Sequence, residues 1–287
     1  MIRHPAGLPA ELAGIDRTLV LGILNVTPDS FSDGGRFASS AAAVAAGVEL
    51  HRRGADIIDV GGESTRPGAE RIAADVELAR VLDVVAGLAE AGVPVSIDTM
   101  RAEVADGAVA AGASIVNDVS GGLGDPDMLP LVADLAAPYI AMHWRGHSAD
   151  MDDLARYDDV VAEVTTELAA RLEACAAAGV DLGRVVLDPG LGFAKTAAHN
   201  WALLAGLADL AALGRPLLVG ASRKRFLGDL LADGSGAPRD VARREAATVA
   251  LTTLAARTGV WAVRVHDAEG SADAVRVVEA MGGSAGG

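Results

Sequence analysis

Eight short apolar segments recur along the chain, and each is followed by a stretch with helical patterning. A continuous apolar segment bounded by turn residues is typical of a strand buried on both faces of a parallel sheet. Regular alternation of such strands with helices predicts parallel pairing with the helices outside, and eight units close a barrel. The predicted strands span residues 19–24, 57–60, 93–97, 115–116, 139–142, 185–187, 217–219 and 262–265. We therefore predict an α/β fold of the (β/α)8 TIM-barrel type.

The alternative fold is an open, doubly wound sheet. Its G-x-G-x-x-G fingerprint is absent after the first predicted strand, so the barrel is favoured. Asp75 is the expected N-cap of the second helix. The helical patterns lie at residues 39–53, 75–91, 102–111, 128–136, 158–178, 198–213, 241–257 and 271–281.

The length of 287 residues and the hydrophobic content of 51% fit one barrel domain. No linker interrupts the pattern, so we predict an N-terminal arm at 1–17, a single domain at 18–282 and a flexible tail at 283–287. The mean hydropathy of +0.32 reflects alanine-rich helices, since no apolar run reaches the ~18–20 residues that span a bilayer. The sequence has no signal-peptide pattern and a single cysteine, so we expect a cytoplasmic protein without disulfides.

The formal net charge is -15 and the isoelectric point is about 4.7. An acidic chain is a poor partner for nucleic acid or for an anionic membrane surface, and we expect neither. Local groups of positive charge are therefore more informative than they would be in a basic protein.

Polar residues stand where the predicted strands end, which in such barrels is the edge that carries the active site. The acids and amides there fit a planar heterocycle with several N–H donors, because a carboxylate can accept two parallel hydrogen bonds. The basic residues fit an anion, since barrels commonly bind phosphate after strands seven and eight. The candidates are Asn25, Arg66, Asp98, Asn117, Met142, Asp188, Ser222, Lys224, Arg264 and His266. The pattern predicts a mouth divided into an acidic half and a basic half.

Two further features concern the same edge. Asn25 beside a phosphate group suggests Mg2+, because magnesium prefers oxygen ligands and keeps several waters. The segments at 27–35 and 65–68 are candidate loops that close over a substrate and exclude water. Alternatively, they are simply disordered, and the sequence does not separate these possibilities.

Seven motifs in order resemble the dihydropteroate synthase family, of the actinobacterial type. The resemblance runs from Leu19 to Met281. The motifs are Asn-Val-Thr-Pro-Asp-Ser-Phe-Ser-Asp-Gly-Gly, Asp-Val-Gly-Gly-Glu-Ser-Thr-Arg-Pro-Gly, Ser-Ile-Asp-Thr, Val-Asn-Asp-Val-Ser-Gly-Gly, Asp-Pro-Gly-Leu-Gly-Phe-Ala-Lys, Gly-Ala-Ser-Arg-Lys-Arg and Arg-Val-His-Asp. The resemblance implies a transferase of folate biosynthesis. It joins 6-hydroxymethyl-7,8-dihydropterin pyrophosphate to p-aminobenzoate and releases 7,8-dihydropteroate and pyrophosphate.

The resemblance also implies roles for individual residues. The pterin would be held by Asp98, Asn117, Met142, Asp188 and Lys224. The pyrophosphate would be held by Asn25, Arg66, Arg264 and His266, with Asn25 toward Mg2+. The p-aminobenzoate pocket would be formed by Phe31, Thr65, Arg66, Pro67, Phe193 and Ser222. The residues expected to act in catalysis, by a dissociative substitution, are Asp98, Lys224, Arg264 and His266. The family further implies a homodimer through the late helices and competition by sulfonamides.

Two other functions are compatible with a pterin-binding barrel. One is a methyltransferase domain acting on methyl-tetrahydrofolate, which shares the pterin pocket but needs no pyrophosphate site. The Gly-Ala-Ser-Arg-Lys-Arg and Arg-Val-His-Asp motifs argue against it. The other is a non-catalytic paralogue that binds pterin without turnover, and no motif loss supports that alternative.

Overall fold

The computed structural model describes residues 2–27, 35–64, 71–147 and 153–283, and for 35–39 and 283 it describes the backbone alone. Eight strands form one sheet in which every pairing is parallel. They are β1 (Leu19–Asn25), β2 (Ile57–Gly61), β3 (Val95–Asp98), β4 (Ile115–Asp118), β5 (Tyr139–Met142), β6 (Val185–Asp188), β7 (Leu218–Val219) and β8 (Ala262–Val265).

The sheet closes on itself. Its strand order is β6-β5-β4-β3-β2-β1-β8-β7. The two ends meet where Leu187 bridges Leu217 in parallel and the Leu187 N–H donates to the Pro216 carbonyl at 2.9 Å. The predicted TIM barrel is therefore confirmed.

One short helix, α1, precedes β1, and the other helices follow the strands on the outside of the barrel. They are α1 (Ala10–Ala13), α2 (Gly35–Arg52), α3 (Ala74–Glu90), α4 (Ala102–Ala110), α5 (Met128–Asp134), α6 (Val160–Ala177), α7 (Ala197–Ala205), α8 (Leu207–Ala211), α9 (Arg225–Leu230), α10 (Glu245–Arg257) and α11 (Ala268–Gly283). Short 3-10 turns at Leu182–Arg184 and Val241–Arg243 precede β6 and α10.

Three helix predictions were wrong in detail. The stretch at 198–213 is two helices, α7 and α8, which meet at Gly206. The stretch at 241–257 starts as a 3-10 turn and becomes α-helical at Glu245. Asp75 is not the N-cap of α3, since Ala73 holds that position; Asp75 lies in the first turn, where a carboxylate still favours the positive end of the helix dipole.

The hydrophobic residues form two layers. One fills the space between the sheet and the helices, and the other fills the barrel where the strands begin, with Leu19, Leu21, Ile57, Ile115, Ile140, Val186, Leu218 and Trp261. The N-terminal arm contributes Leu12, which is 3% exposed, to the interior layer. Because that end is filled with apolar side chains, a polar site has to lie at the other end, where the strands finish.

Candidate active site

Strand alternation aims a defined set of side chains into the open end of the barrel. Successive residues of a strand point to opposite faces, so residues an even number of places from an interior residue are also interior. The inward residues where the strands begin include Leu21, Ile57, Ile115, Ile140, Val186, Leu218 and Ala262. Two or four places further along the chain, the same alternation reaches Asn25, Asp59, Asn117, Met142, Asp188, Gly220, Arg264 and His266. Asp98 lies opposite Asn117 and Gly61 in the register and belongs to the same layer. We call this layer the mouth.

Arg264 is the central cation of the mouth. Its Nε donates to Asp59 Oδ2 at 2.5 Å, and its Nη2 donates to Asp98 Oδ2 at 2.6 Å. Asn117 Nδ2 also donates to Asp59 Oδ2, at 3.1 Å. The predicted acidic and basic halves are thus not separate, because one guanidinium from β8 is bonded to carboxylates from β2 and β3.

Two carboxylate oxygens of this cluster are left over. Oδ1 of Asp59 and Oδ1 of Asp98 are buried and have no hydrogen-bond partner among the described residues. A buried acceptor without a donor is costly, so these atoms are suited to receive N–H groups of a ligand. Burial raises the pKa of Asp98; Arg264 opposes this, whereas the nearby carboxylate of Asp59 adds to it.

Asp188, Lys224 and Arg264 open onto one space. A Cβ placed on Gly220 would lie 3.7 Å from Asp188 Oδ2, 3.9 Å from Arg264 Cβ and 4.0 Å from Lys224 Nζ. Any side chain at this position would enter the space among these three groups, so the absence of one keeps the mouth open. Burial lowers the pKa of Lys224 to about 8, although the charge of Asp188 works in the opposite direction.

The loop after β6, residues 189–195, forms one wall of the mouth. Lys224 Nζ donates to the Leu191 carbonyl and stands 4.7 Å from the centroid of the Phe193 ring, a cation–π distance. The Asp188 Oδ1 atom accepts from the Gly190 N–H at 2.7 Å, which fixes the start of the loop. Phe193, predicted for the p-aminobenzoate pocket, is therefore adjacent to the predicted pterin residue Lys224.

Ser222 orients the imidazole of His266. The Ser222 Oγ accepts from the His266 backbone N–H at 3.1 Å and lies 3.0 Å from His266 Nδ1. The hydroxyl can also donate to Nδ1, and in the tautomer in which Nδ1 accepts, Nε2 carries the ring proton. The two contacts with Ser222 hold the imidazole at the edge of the mouth.

The remaining candidates are placed as follows. Asn25 is half-buried at the end of β1, opposite Gly61. Met142 is buried at the end of β5, opposite Asp188. Four predicted residues, Phe31, Thr65, Arg66 and Pro67, and most of both candidate loops lie outside the described residues.

Two residues of the site were missed in the sequence. Asp59 lies inside β2 and not at its end, but two places after the interior residue Ile57, so strand alternation alone could have found it. Lys195, one of two lysines in the chain, is buried behind the loop that carries Phe193. Its partner His143 lies 52 positions away, a contact that no local pattern reveals.

His143 is buried between charged groups. Its Nδ1 lies 2.9 Å from Lys195 Nζ, and its Nε2 lies 2.9 Å from Glu167 Oε2. Since an ammonium only donates, Nδ1 accepts and Nε2–H donates to Glu167, so the ring is neutral. Burial lowers the pKa of His143 to about 4; the hydrogen bond to Glu167 opposes this, and the cation of Lys195 adds to it.

We therefore expect His143 to remain neutral at pH 5.5. In an NMR titration of its ring protons, the folded protein should show an inflection near pH 4. The same imidazole in urea-unfolded protein should titrate near about 6.5. An inflection between pH 6 and 7 in the folded protein would contradict the assignment.

The comparisons with known proteins agree with this geometry. The model of the family described as pterin binding enzyme matches residues 21–266, from within β1 to His266. The dihydropteroate synthase of Mycobacterium leprae is 55% identical over 262 residues, which cover 91% of this chain and 92% of that protein. The chain belongs to the dihydropteroate synthase family.

Solved structures support the same membership. A Xanthomonas albilineans dihydropteroate synthase with 4-aminobenzoic acid matches with a TM-score of 0.86 at 44% identity, covering 98% of this chain and 99% of that one. The synthase of the same organism in complex with 7,8-dihydropteroate matches with a TM-score of 0.82 at 43% identity, covering 95% and 98%. The predicted family and the predicted function, a transferase of folate biosynthesis, are confirmed. No helix in the described part of the chain is long and apolar enough to cross a membrane.

Proposed function

We propose that this protein condenses 6-hydroxymethyl-7,8-dihydropterin pyrophosphate with p-aminobenzoate, giving 7,8-dihydropteroate and pyrophosphate. The observation that carries the proposal is the mouth itself, where unpartnered buried carboxylate oxygens stand beside Arg264 and Lys224. The Xanthomonas albilineans synthase, solved with 4-aminobenzoic acid and with 7,8-dihydropteroate, supports this substrate pair.

The pterin ring is matched to the carboxylates. Its N–H groups can donate to Asp98 Oδ1 and to Asp188, and Asn117 offers an amide at the same level of the barrel. A ring edge that donates to Asp98 Oδ1 removes the cost of leaving that oxygen unpaired, and Asp188 offers a further acceptor. Lys224 and Met142 complete the proposed pterin pocket.

The diphosphate is matched to the residues that follow β7 and β8. His266, oriented by Ser222, offers an imidazole to the diphosphate, and Arg264, bonded to Asp98, adds a positive charge. Arg66, which is outside the described residues, is part of the same proposal. Donors placed where negative charge develops stabilise the transition state more than the ground state.

Mg2+ is proposed as a partner of the diphosphate, through Asn25. The described residues contain no group of three or more His, Cys, Asp or Glu that could form a dedicated metal site. A single amide oxygen nevertheless fits magnesium, which keeps several waters and takes phosphate oxygens from a substrate. When bound, the ion would neutralise charge on the departing diphosphate.

The proposed chemistry is a dissociative substitution at the methylene carbon of the pterin. The C–O bond breaks, and its electron pair leaves with the diphosphate, so the pterin-methylene group becomes positive. The carboxylates of Asp59, Asp98 and Asp188, which lie at this level of the mouth, stabilise that charge. The aniline nitrogen of p-aminobenzoate then forms the C–N bond with its lone pair and loses a proton.

No protein nucleophile is required. Cys175 is buried on α6, and burial raises the pKa of its thiol to about 11, so it stays protonated. The Ser222 hydroxyl is bonded to His266 and shapes the p-aminobenzoate side together with Phe193. Phe31, Thr65, Arg66 and Pro67 are proposed for the same pocket, where sulfonamides are expected to compete.

A single assay tests the proposal. The protein is given both substrates and Mg2+, and dihydropteroate and pyrophosphate are measured together. Equal amounts of both products support the synthase. Pterin binding without either product would indicate the non-catalytic paralogue, and methyl transfer from methyl-tetrahydrofolate would indicate the methyltransferase.

A homodimer through the late helices is part of the proposal. On the paired helices α10 and α11, Leu254, Val277 and Met281 are 60%, 56% and 57% exposed, which supports an apolar contact surface. We expect light scattering to give twice the 29.0 kDa of one chain. Val277→Glu should shift the mass to that of one chain, while Leu123→Glu, a similarly exposed position after β4, should not. A monomeric wild type would contradict the proposal.

A further inference from the structure

Lys195 carries a buried ammonium group behind the wall of the mouth. Its Nζ donates to the Phe193 carbonyl at 3.0 Å and to His143 Nδ1 at 2.9 Å. The side chain is buried, and burial lowers the pKa of the ammonium to about 7. A lysine is rarely buried to this extent without a specific task, and both of these bonds are to the protein itself.

The loop at 189–195 is held from two sides. On the side of the mouth, Asp188 bonds the Gly190 N–H and Lys224 bonds the Leu191 carbonyl. At the other end of the loop, Lys195 bonds the Phe193 carbonyl, and the Asn200 side chain accepts from the Gly192 N–H at 2.7 Å. Asp188 and Lys224 are proposed to contact the pterin, whereas Lys195 bonds the segment that presents the Phe193 ring.

The backbone between Phe193 and Lys195 is in a conformation that alanine rarely adopts. Ala194 has a φ of +47°, in the left-handed region that favours glycine. A strained residue persists where its surroundings over-determine it. The bonds of Lys195 to Phe193 on one side of Ala194 and to His143 on another element supply such a constraint.

His143 is itself fixed, so it can serve as an anchor. Its backbone N–H donates to the Asp188 carbonyl at 2.8 Å, and its ring bonds Glu167 on α6. Arg145 bonds Glu167 and Glu163, also on α6, which holds the acid in place. A continuous set of hydrogen bonds therefore joins α6 to the Phe193 carbonyl through Glu167, His143 and Lys195.

We infer that Lys195 is a positioning residue that fixes the Phe193 ring for the second substrate. The inference rests on the proposed function, because it assigns Phe193 to the p-aminobenzoate side of the mouth. A loop released from Lys195 would still be bonded to Asp188 and Lys224, and the pterin side would lose only the charge that Lys195 contributes near Asp188, so it would be less affected. Lys195 thus acts through Phe193 and does not touch a substrate.

The kinetic test uses Lys195→Met, which keeps the length of the side chain but removes the donor. We expect the KM for p-aminobenzoate to rise about tenfold or more, as one charged hydrogen bond is lost, while the KM for the pterin pyrophosphate changes less than about threefold. Lys195→Gln, which keeps a donor, should recover part of the loss. Equal effects on both substrates, or no effect on p-aminobenzoate, would overturn the inference.

A second measurement does not depend on activity. Hydrogen exchange of the Gly190, Gly192 and Phe193 amides should become about tenfold faster or more in Lys195→Met, with β1 unchanged. Arg17→Met is the matched control, because it breaks the Arg17–Asp56 ion pair at the opposite end of the barrel and should leave this loop unaffected. Unchanged exchange in Lys195→Met would overturn the inference. A wild type without synthase activity but with this exchange response would contradict only the proposed function.

Discussion

Arg264→Ala is expected to lower kcat by at least about a hundredfold, comparable to the loss of one oxyanion donor in other enzymes. Two losses combine in this variant. The departing diphosphate loses a nearby positive charge, and the carboxylates of Asp59 and Asp98 lose the guanidinium that bonds both. Unpaired carboxylates in a buried site take up protons, so their negative charge is no longer available to stabilise a cationic pterin.

Two variants control for this result. Arg17→Ala also breaks a partly buried arginine–aspartate pair, because Arg17 bonds Asp56 just before β2, at the end of the barrel opposite the mouth. The kcat of this variant should stay within about threefold of wild type. Arg264→Lys keeps the charge, but a single ammonium does not reproduce the fork that reaches Asp59 and Asp98, so we expect only partial recovery. Steady-state rates for Arg264→Ala within threefold of wild type would refute the role given to this residue.

Asp188→Ala is expected to abolish measurable pterin binding in titration calorimetry. The carboxylate is buried beside Lys224, and its loss removes acceptors for the ring and leaves the ammonium without its anionic neighbour. Two charge-assisted hydrogen bonds together correspond to about 3–6 kcal/mol, or a loss of at least about a hundredfold in affinity.

Asp188→Asn tests pterin recognition while keeping the structure of the loop at 189–195. An asparagine can still accept from the Gly190 N–H, which Asp188 Oδ1 bonds at 2.7 Å, so the loop is retained. Its amide nitrogen, however, cannot accept a donor from the pterin. We expect Asp188→Asn to have a wild-type unfolding midpoint and weak pterin binding. Unchanged affinity in either variant would count against the proposed pterin pocket.

Much of the mouth follows from strand alternation in the sequence. Asp98, Asn117 and Asp188 end apolar strands, and residues that end parallel strands meet at one edge of the barrel. Arg264 and His266 are two places apart and share a face for the same reason. These residues could be predicted because their placement depends only on the fold and on local spacing.

The pairing inside the mouth could not be predicted in this way. Arg264 bonds Asp59 across 205 positions, and Lys195 bonds His143 across 52, contacts that depend on which strands become neighbours in the closed barrel. Considered by sign of charge alone, the residues suggested separate acidic and basic halves. In the structure, a buried guanidinium needs carboxylate partners, so the two sets of charges meet.

The predicted boundaries of one helix were wrong for a local reason. Gly206 interrupts the apolar pattern between α7 and α8 without breaking its periodicity, so one long helix was predicted. A glycine in a helical pattern weakens a helix but does not by itself end it, and packing around the chain decides the outcome. The site was unaffected, because these helices lie outside the barrel.

The most direct test of the account is a crystal structure of the protein with 6-hydroxymethyl-7,8-dihydropterin pyrophosphate bound. We expect the ring to occupy the space in front of Gly220, bonded to Asp98 Oδ1 and Asp188, with the diphosphate within hydrogen-bond distance of His266 and Arg264. Density for the ring and the diphosphate in separate cavities, or for a ring that leaves Asp98 and Asp188 without a ligand donor, would contradict it.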